Sequence, residues 1–241
     1  MDTHVPMKNR YGFRTMRMRA LGRIVQLFCY CRGEVPPRIA QLGEPVVFIC
    51  NHYEIFGPLA IVTSLPVRFR LWMNAAIVES TSNVDKLIVG TQHVVPWMSD
   101  DTARRWIARF ARAGEKLFGA FDPICVDRED PTRLLSTMRE SVRALQSGDS
   151  IVIFPETGLP HFAHGGVNEF YHGFAMLGEI YRRKTGKDLH FCPVYIDKRR
   201  RVLRFGEPVV YGDLPAAQEY RRVSDSVRGQ MLAMAGVSEV A

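Results

Sequence analysis

No stretch of this chain approaches the roughly 20 consecutive apolar residues that span a bilayer, so no integral helix is expected and any membrane contact should be peripheral. Cysteine is sparse and odd in number: Cys29, Cys31, Cys50, Cys125 and Cys192. Three of the five lie in apolar, strand-like runs, which argues for reduced thiols in a cytoplasmic protein and against a disulfide framework. Cys29-x-Cys31 lacks the spacing of a zinc knuckle and has no second pair. His161, His164 and His172 fall in a glycine-containing stretch with no fixed helix to present them, so no metal site is expected. The chain also lacks a glycine-rich nucleotide loop, an internal repeat and a low-complexity tract.

Acid is nearly missing from the start of the chain. Residues 1–33 carry Lys8, Arg10, Arg14, Arg17, Arg19, Arg23 and Arg32 against Asp2 alone, a net +6 of the +7 for all 241 residues. Met16, Met18, Leu21, Ile24, Val25, Leu27 and Phe28 are interleaved with these cations. The pattern fits a basic amphipathic helical arm lying on anionic lipid. It also fits a solvated basic face whose apolar stripe packs on the core. The remainder is almost neutral and has no nucleic-acid motif, so nucleic acid is not an expected partner.

Residues 34–241 have the composition of one compact α/β domain. Residues 46–50 (VVFIC after Pro45), 124–126 and 151–154 read as strands buried on both faces. A helix is expected from about 57 to 65 with Pro58 in its first turn, and 69–78 is mixed with strand character. A further helix should follow the cap Asp130 and Pro131, bury Leu134, Leu135, Met138, Val142 and Leu145, and stop at Gly148. Two more are expected over 102–118 and 216–235. The strand, helix, strand order around 124–154 implies a right-handed parallel crossover. The expected fold class is therefore α/β, a mostly parallel sheet flanked by helices. Polar residues follow two of the strands: Asn51, His52 and Glu54 after the first, Glu156 and Thr157 after the last. In open α/β sheets ligands bind outside the carboxyl ends of the strands. Neutral imidazole there can accept a proton from a hydroxyl near pH 7.

The same runs resemble the glycerophospholipid acyltransferases, whose first motif is Asn-His-x-x-x-x-Asp-Pro and whose third is Phe-Pro-Glu-Gly-Thr-Arg. Asn51, His52 and Pro58 match the first; Phe154, Pro155 and Glu156 match the third. Ile124 to Arg128 resembles the second motif, Phe170-Tyr171-His172-Gly173 a helix start, and Cys192-Pro193-Val194 the fourth, in which a proline interrupts a strand. The resemblance runs in order from about Val46 to Pro208. It implies transfer of a fatty acyl group from acyl-CoA or an acyl carrier protein to a lysophospholipid or glycerol-phosphate hydroxyl, at the inner face of the membrane and with no bound cofactor or metal. His52 would be the general base; Asn51, Arg128, Phe154, Pro155, Glu156, Thr157 and Gly158 would bind substrate, Arg128 through a phosphate. The chain departs from the pattern at Gly57, where the family has its aspartate, and at Thr157-Gly158-Leu159. Glu54 is the nearest substitute carboxylate. The alternative expectation is a lipid or acyl-chain binding protein that keeps the fold without the catalysis.

Overall fold

The computed structural model describes residues 26–27, 29–53, 56–78, 105, 122–127, 131–157 and 167–236. The elements, in chain order, are α1 (Pro37–Ala40), β1 (Val47–Cys50), α2 (Phe56–Ser64), β2 (Phe69–Asn74), α3 (Ala75–Val78), β3 (Ile124–Val126), α4 (Pro131–Gln146) and β4 (Ser150–Ile153). A 3-10 turn (His172–Ala175) then leads into α5 (Met176–Thr185), β5 (His190–Asp197), β6 (Val202–Phe205), β7 (Val209–Val210) and α6 (Ala216–Ala235).

Among the described residues the sheet has seven strands in the order β3-β2-β4-β1-β5-β6, with β7 also paired to β5. β3, β2, β4, β1 and β5 are mutually parallel, and β6 and β7 run antiparallel to β5. Parallel strands covered on both faces need apolar residues at every position, which is why VFIC and SIVI do not alternate with polar residues. The alternation appears instead as two cores. Val47, Ile49, Ile151 and Ile153 face Met138, Val142 and Leu145 of α4 and Val223, Val227 and Met231 of α6. Phe48, Cys50, Val152 and Phe154 face Ile39, Ile61, Leu71 and Leu203.

α4 buries Met138, Val142 and Leu145, but Leu135 is 57% exposed. One residue on from Leu134 turns the side chain by about 100°, off the stripe that Met138 and Val142 continue. The helix is tied to the sheet by polar contacts that its apolar pattern does not announce. Thr137 donates to the Cys125 carbonyl at 2.7 Å, and Trp72 donates its indole N–H to Ser141 at 2.8 Å. Gly148 then takes φ +88, which a glycine adopts without steric cost. The crossover from β3 through α4 to β4 is present, but the strands it joins are not neighbours. β2 (Phe69–Asn74) lies between them, so β3 stands two strand spacings, about 10 Å, from β4.

Pro193 lies inside β5 and still breaks no pairing with β1. Its carbonyl accepts the Gly206 N–H at 2.9 Å, on the side where β7 ends and β6 begins. The missing proline N–H falls at that changeover, where no strand asks for it. Beyond β6, Arg32 closes the edge: its N–H donates to the Arg201 carbonyl (2.8 Å) and its carbonyl accepts from Leu203 (2.7 Å).

The expected helix over 102–118 and the basic residues 1–25 lie outside the described residues, apart from Arg105. Among the described residues no helix is long and apolar enough to cross a membrane.

Candidate active site

Polar chemistry begins where β1 ends. Asn51 is fully buried, and its side chain meets the backbone of β5 with both ends of the amide. Its oxygen accepts the Ile196 N–H at 2.7 Å and its nitrogen donates to the Ile196 carbonyl at 3.4 Å. The side chain thus acts as one more peptide group in the ladder between β1 and β5, and it fixes the direction in which the chain leaves the sheet. The Tyr53 carbonyl then accepts the N–H groups of Phe56 (2.9 Å) and Gly57 (3.2 Å), which opens α2. His52 is held between these two anchors, half-buried.

β4 lies directly beside β1, with Ile49 opposite Ile153, so continuing that register sets His52 against Glu156. The His52 ring meets Phe154 edge-on, centroids 5.1 Å apart at 74°. The Glu156 carboxyl, 8% exposed, accepts the backbone N–H groups of His52 and Asn168. Burial pushes this carboxyl up to about 7, although both hydrogen bonds oppose the shift. Glu156 therefore keeps its proton to a higher pH than an ordinary glutamate, and it bridges the two loops through their main chain. Its neighbours fix it in place. Glu156 forms a bridge with Phe170; Thr157 donates its N–H (2.7 Å) and hydroxyl (3.1 Å) to the Glu169 carbonyl; and the Pro155 carbonyl accepts from Tyr171 (2.9 Å).

Gly57 stands against the base of His52. A Cβ there would lie 3.2 Å from the Asn51 carbonyl oxygen, 3.5 Å from Phe154 and 3.6 Å from the His52 Cα. A side chain at this position would start beside the histidine, in an ordinary helical backbone but tight against the Asn51 carbonyl, which would have to give by a few tenths of an ångström. Tyr53 and Tyr195 add hydroxyls 3.5 Å apart on the β5 side of the loop. Burial, followed by the bond to Tyr195, raises the Tyr53 phenol further above its ordinary range. No sequence signal singles out this pair, because Tyr195 reads as one more apolar residue of a buried strand.

The fold thus brings Asn51, His52, Phe154, Pro155, Glu156 and Thr157 to one carboxyl edge. β3 ends at the same edge, with Val126 paired to Asn74. Glu54, Arg128 and Gly158 lie outside the described residues, as do His161 and His164. Among the described residues no three His, Cys, Asp or Glu side chains gather as a metal site.

No protein-family model matches the chain, and no curated protein matches it. A solved structure does: the crystal structure of the 1-acyl-sn-glycerophosphate (LPA) acyltransferase PlsC from Thermotoga maritima, with a TM-score of 0.50 and 15% identity over 95% of this chain and 86% of that one. The two share a fold.

Proposed function

We propose that the protein is an O-acyltransferase that moves a fatty acyl group from a thioester to a hydroxyl of a lysophospholipid or a glycerol-phosphate-like acceptor. The observation that carries this reading is the side-by-side placement of β1 and β4, which seats His52 against Glu156 at the carboxyl edge. In the reaction, the His52 imidazole takes the acceptor's proton as the hydroxyl oxygen attacks the thioester carbonyl carbon. The tetrahedral intermediate then collapses, the C–S bond breaks, and the proton returns to the departing thiolate. Glu156 would hold the histidine loop through its backbone N–H and offer a carboxyl to the acceptor. Arg128 would meet the acceptor's phosphate with paired N–H donors. The thioester would be carried by coenzyme A or an acyl carrier protein, and the reaction would take place at the inner face of a membrane.

Gly57 favours a second reading, a lipid-binding protein without turnover, because it puts a hydrogen atom where a carboxylate would orient the imidazole. One experiment separates the two. Thiol release is followed with an acyl-CoA and a panel of lysophospholipids, for the native chain, His52→Ala, Glu54→Gln and Gly57→Asp. For the enzyme, His52→Ala should lose at least about a hundredfold in kcat, the usual loss with a general base, and Glu54→Gln should lower kcat if Glu54 has taken over the orienting role. A native chain that releases thiol no faster than His52→Ala, together with a Gly57→Asp variant that gains activity, would establish the binding protein.

A further inference from the structure

The turn between β5 and β6 consists of Lys198, Arg199, Arg200 and Arg201, and no acid occurs between Asp197 and Glu207. All four side chains are exposed. β5 runs parallel to β1, so the turn emerges at the same edge as His52. It is also in contact with the histidine segment: the Lys198 ammonium sits 5.3 Å from the ring centroid of Phe56, the first residue of α2. Arg200 and Arg204 share Asp197, at 3.3 and 3.2 Å, so one acid offsets part of this charge.

Two further observations give the patch an apolar companion and a direction. Arg201 donates to the Leu27 carbonyl at 3.4 Å, and its backbone receives the Arg32 N–H. Leu27, which Arg201 contacts, is 72% exposed, and Tyr30, three residues further on and two before Arg32, is 42% exposed. Arg201 itself is held at φ 53, where glycine would fit with less strain. Residues 1–33, with their net +6, join the described fold at this point. Cations flanked by exposed leucine and tyrosine match a lipid interface, which takes charge at its headgroups and apolar groups just below them. A nucleic-acid surface would not call for the leucine.

We propose that this turn, with Leu27 and Tyr30, is the surface on which the protein rests on an anionic phospholipid bilayer, so that the mouth of the His52 site opens toward the lipid. The proposal builds on the reading of that site as one that takes a lipid, but its test needs no turnover. The full chain is sedimented with vesicles of phosphatidylcholine alone and of phosphatidylcholine with phosphatidylglycerol, at low and high salt. Three proteins are compared: native, Lys198→Gln/Arg199→Gln, and a control, Arg143→Gln/Lys184→Gln. The control removes the same charge from exposed positions near the carboxyl ends of α4 and α5, at the opposite edge of the sheet.

The native chain should prefer the anionic vesicles and lose them as salt rises. The turn variant should bind them more weakly, by roughly fivefold for each charge removed, while the control stays within about twofold. Equal weakening by both variants would overturn the proposal, since it would make net charge the cause and not an oriented surface. Unchanged binding by the turn variant would do the same. The thermal midpoint of each variant checks that it folds. Acyl transfer to a dispersed short-chain acceptor, measured without vesicles, reads the site independently of docking.

Discussion

Glu156 holds the two halves of the site together through main-chain hydrogen bonds, and its raised carboxyl gives that role a pH signature. Below about pH 4.5 the group is protonated in folded and unfolded chains alike. Between there and about 7 the unfolded chain releases its proton while the folded one keeps it, so stability falls as pH rises through that window. The shift corresponds to at most about 3 kcal/mol. Glu156→Gln keeps an oxygen to accept the His52 N–H and removes the titration. Denaturant unfolding of both proteins should show the native chain losing ground to the variant between pH 4.5 and 7, and a constant difference would place the carboxyl in its ordinary range. The sequence pointed to Glu156 through the residues around it, but the direction of its contacts was not legible there. A carboxylate after a strand reads as a ligand for substrate, whereas its hydrogen bonds here run to the backbone of residues 52 and 168. The Tyr53 and Tyr195 pair was illegible for a different reason, since their residues meet only after β1 and β5 are laid side by side.

Among the elements, helices were the easiest to read. α6 spans the expected residues 216–235, and α4 begins at Pro131 and ends before Gly148, because both carry an apolar stripe of helical period and local stop signals. The two central strands were equally plain, since VFIC and IVIF are so apolar, whereas residues 69–78 read as mixed and β6 and β7 were not foreseen. Nor was strand order. Nothing in residues 69–74 states that they pair with β4 on one side and β3 on the other, because parallel pairing is decided by crossovers and packing and not by local pattern. Asn51 marks where one element hands over to the next. It resembles a substrate-binding residue by motif, and its contacts are with Ile196. Asn51→Ala would leave the N–H and C=O of Ile196 buried and unpaired, and should cost about 2–6 kcal/mol of folding stability at 1–3 kcal/mol per stranded group. An unfolding midpoint equal to the native one would show that the amide serves only the ligand.

At the scale of the whole molecule, one of the two cores takes all the buried cysteines. All five are free thiols; Cys31, Cys50 and Cys192 are buried, and Cys29 and Cys125 are partly open. Burial pushes Cys31 up to about 11 and Cys192 up to about 12, and raises Cys50 well above the ordinary thiol range. An Ellman titration of the native protein at pH 8 should therefore show two thiols reacting quickly and three only after denaturant is added. Three fast thiols would mean that one of the cores admits solvent. The placement of β1 also bears on how the protein is made. β1 is covered by β4 and β5, and its residue Val47 pairs with Ile151 and Phe191, partners that are 104 and 144 positions further along the chain. At 5–20 residues per second the ribosome takes about 5–20 s to deliver the first of them. Throughout that interval a wholly apolar strand has two open edges and no neighbour, which is the condition under which nascent chains stick to one another. His52 is synthesised early and its surroundings late, so this protein should draw on a chaperone during synthesis more than its modest length alone would suggest.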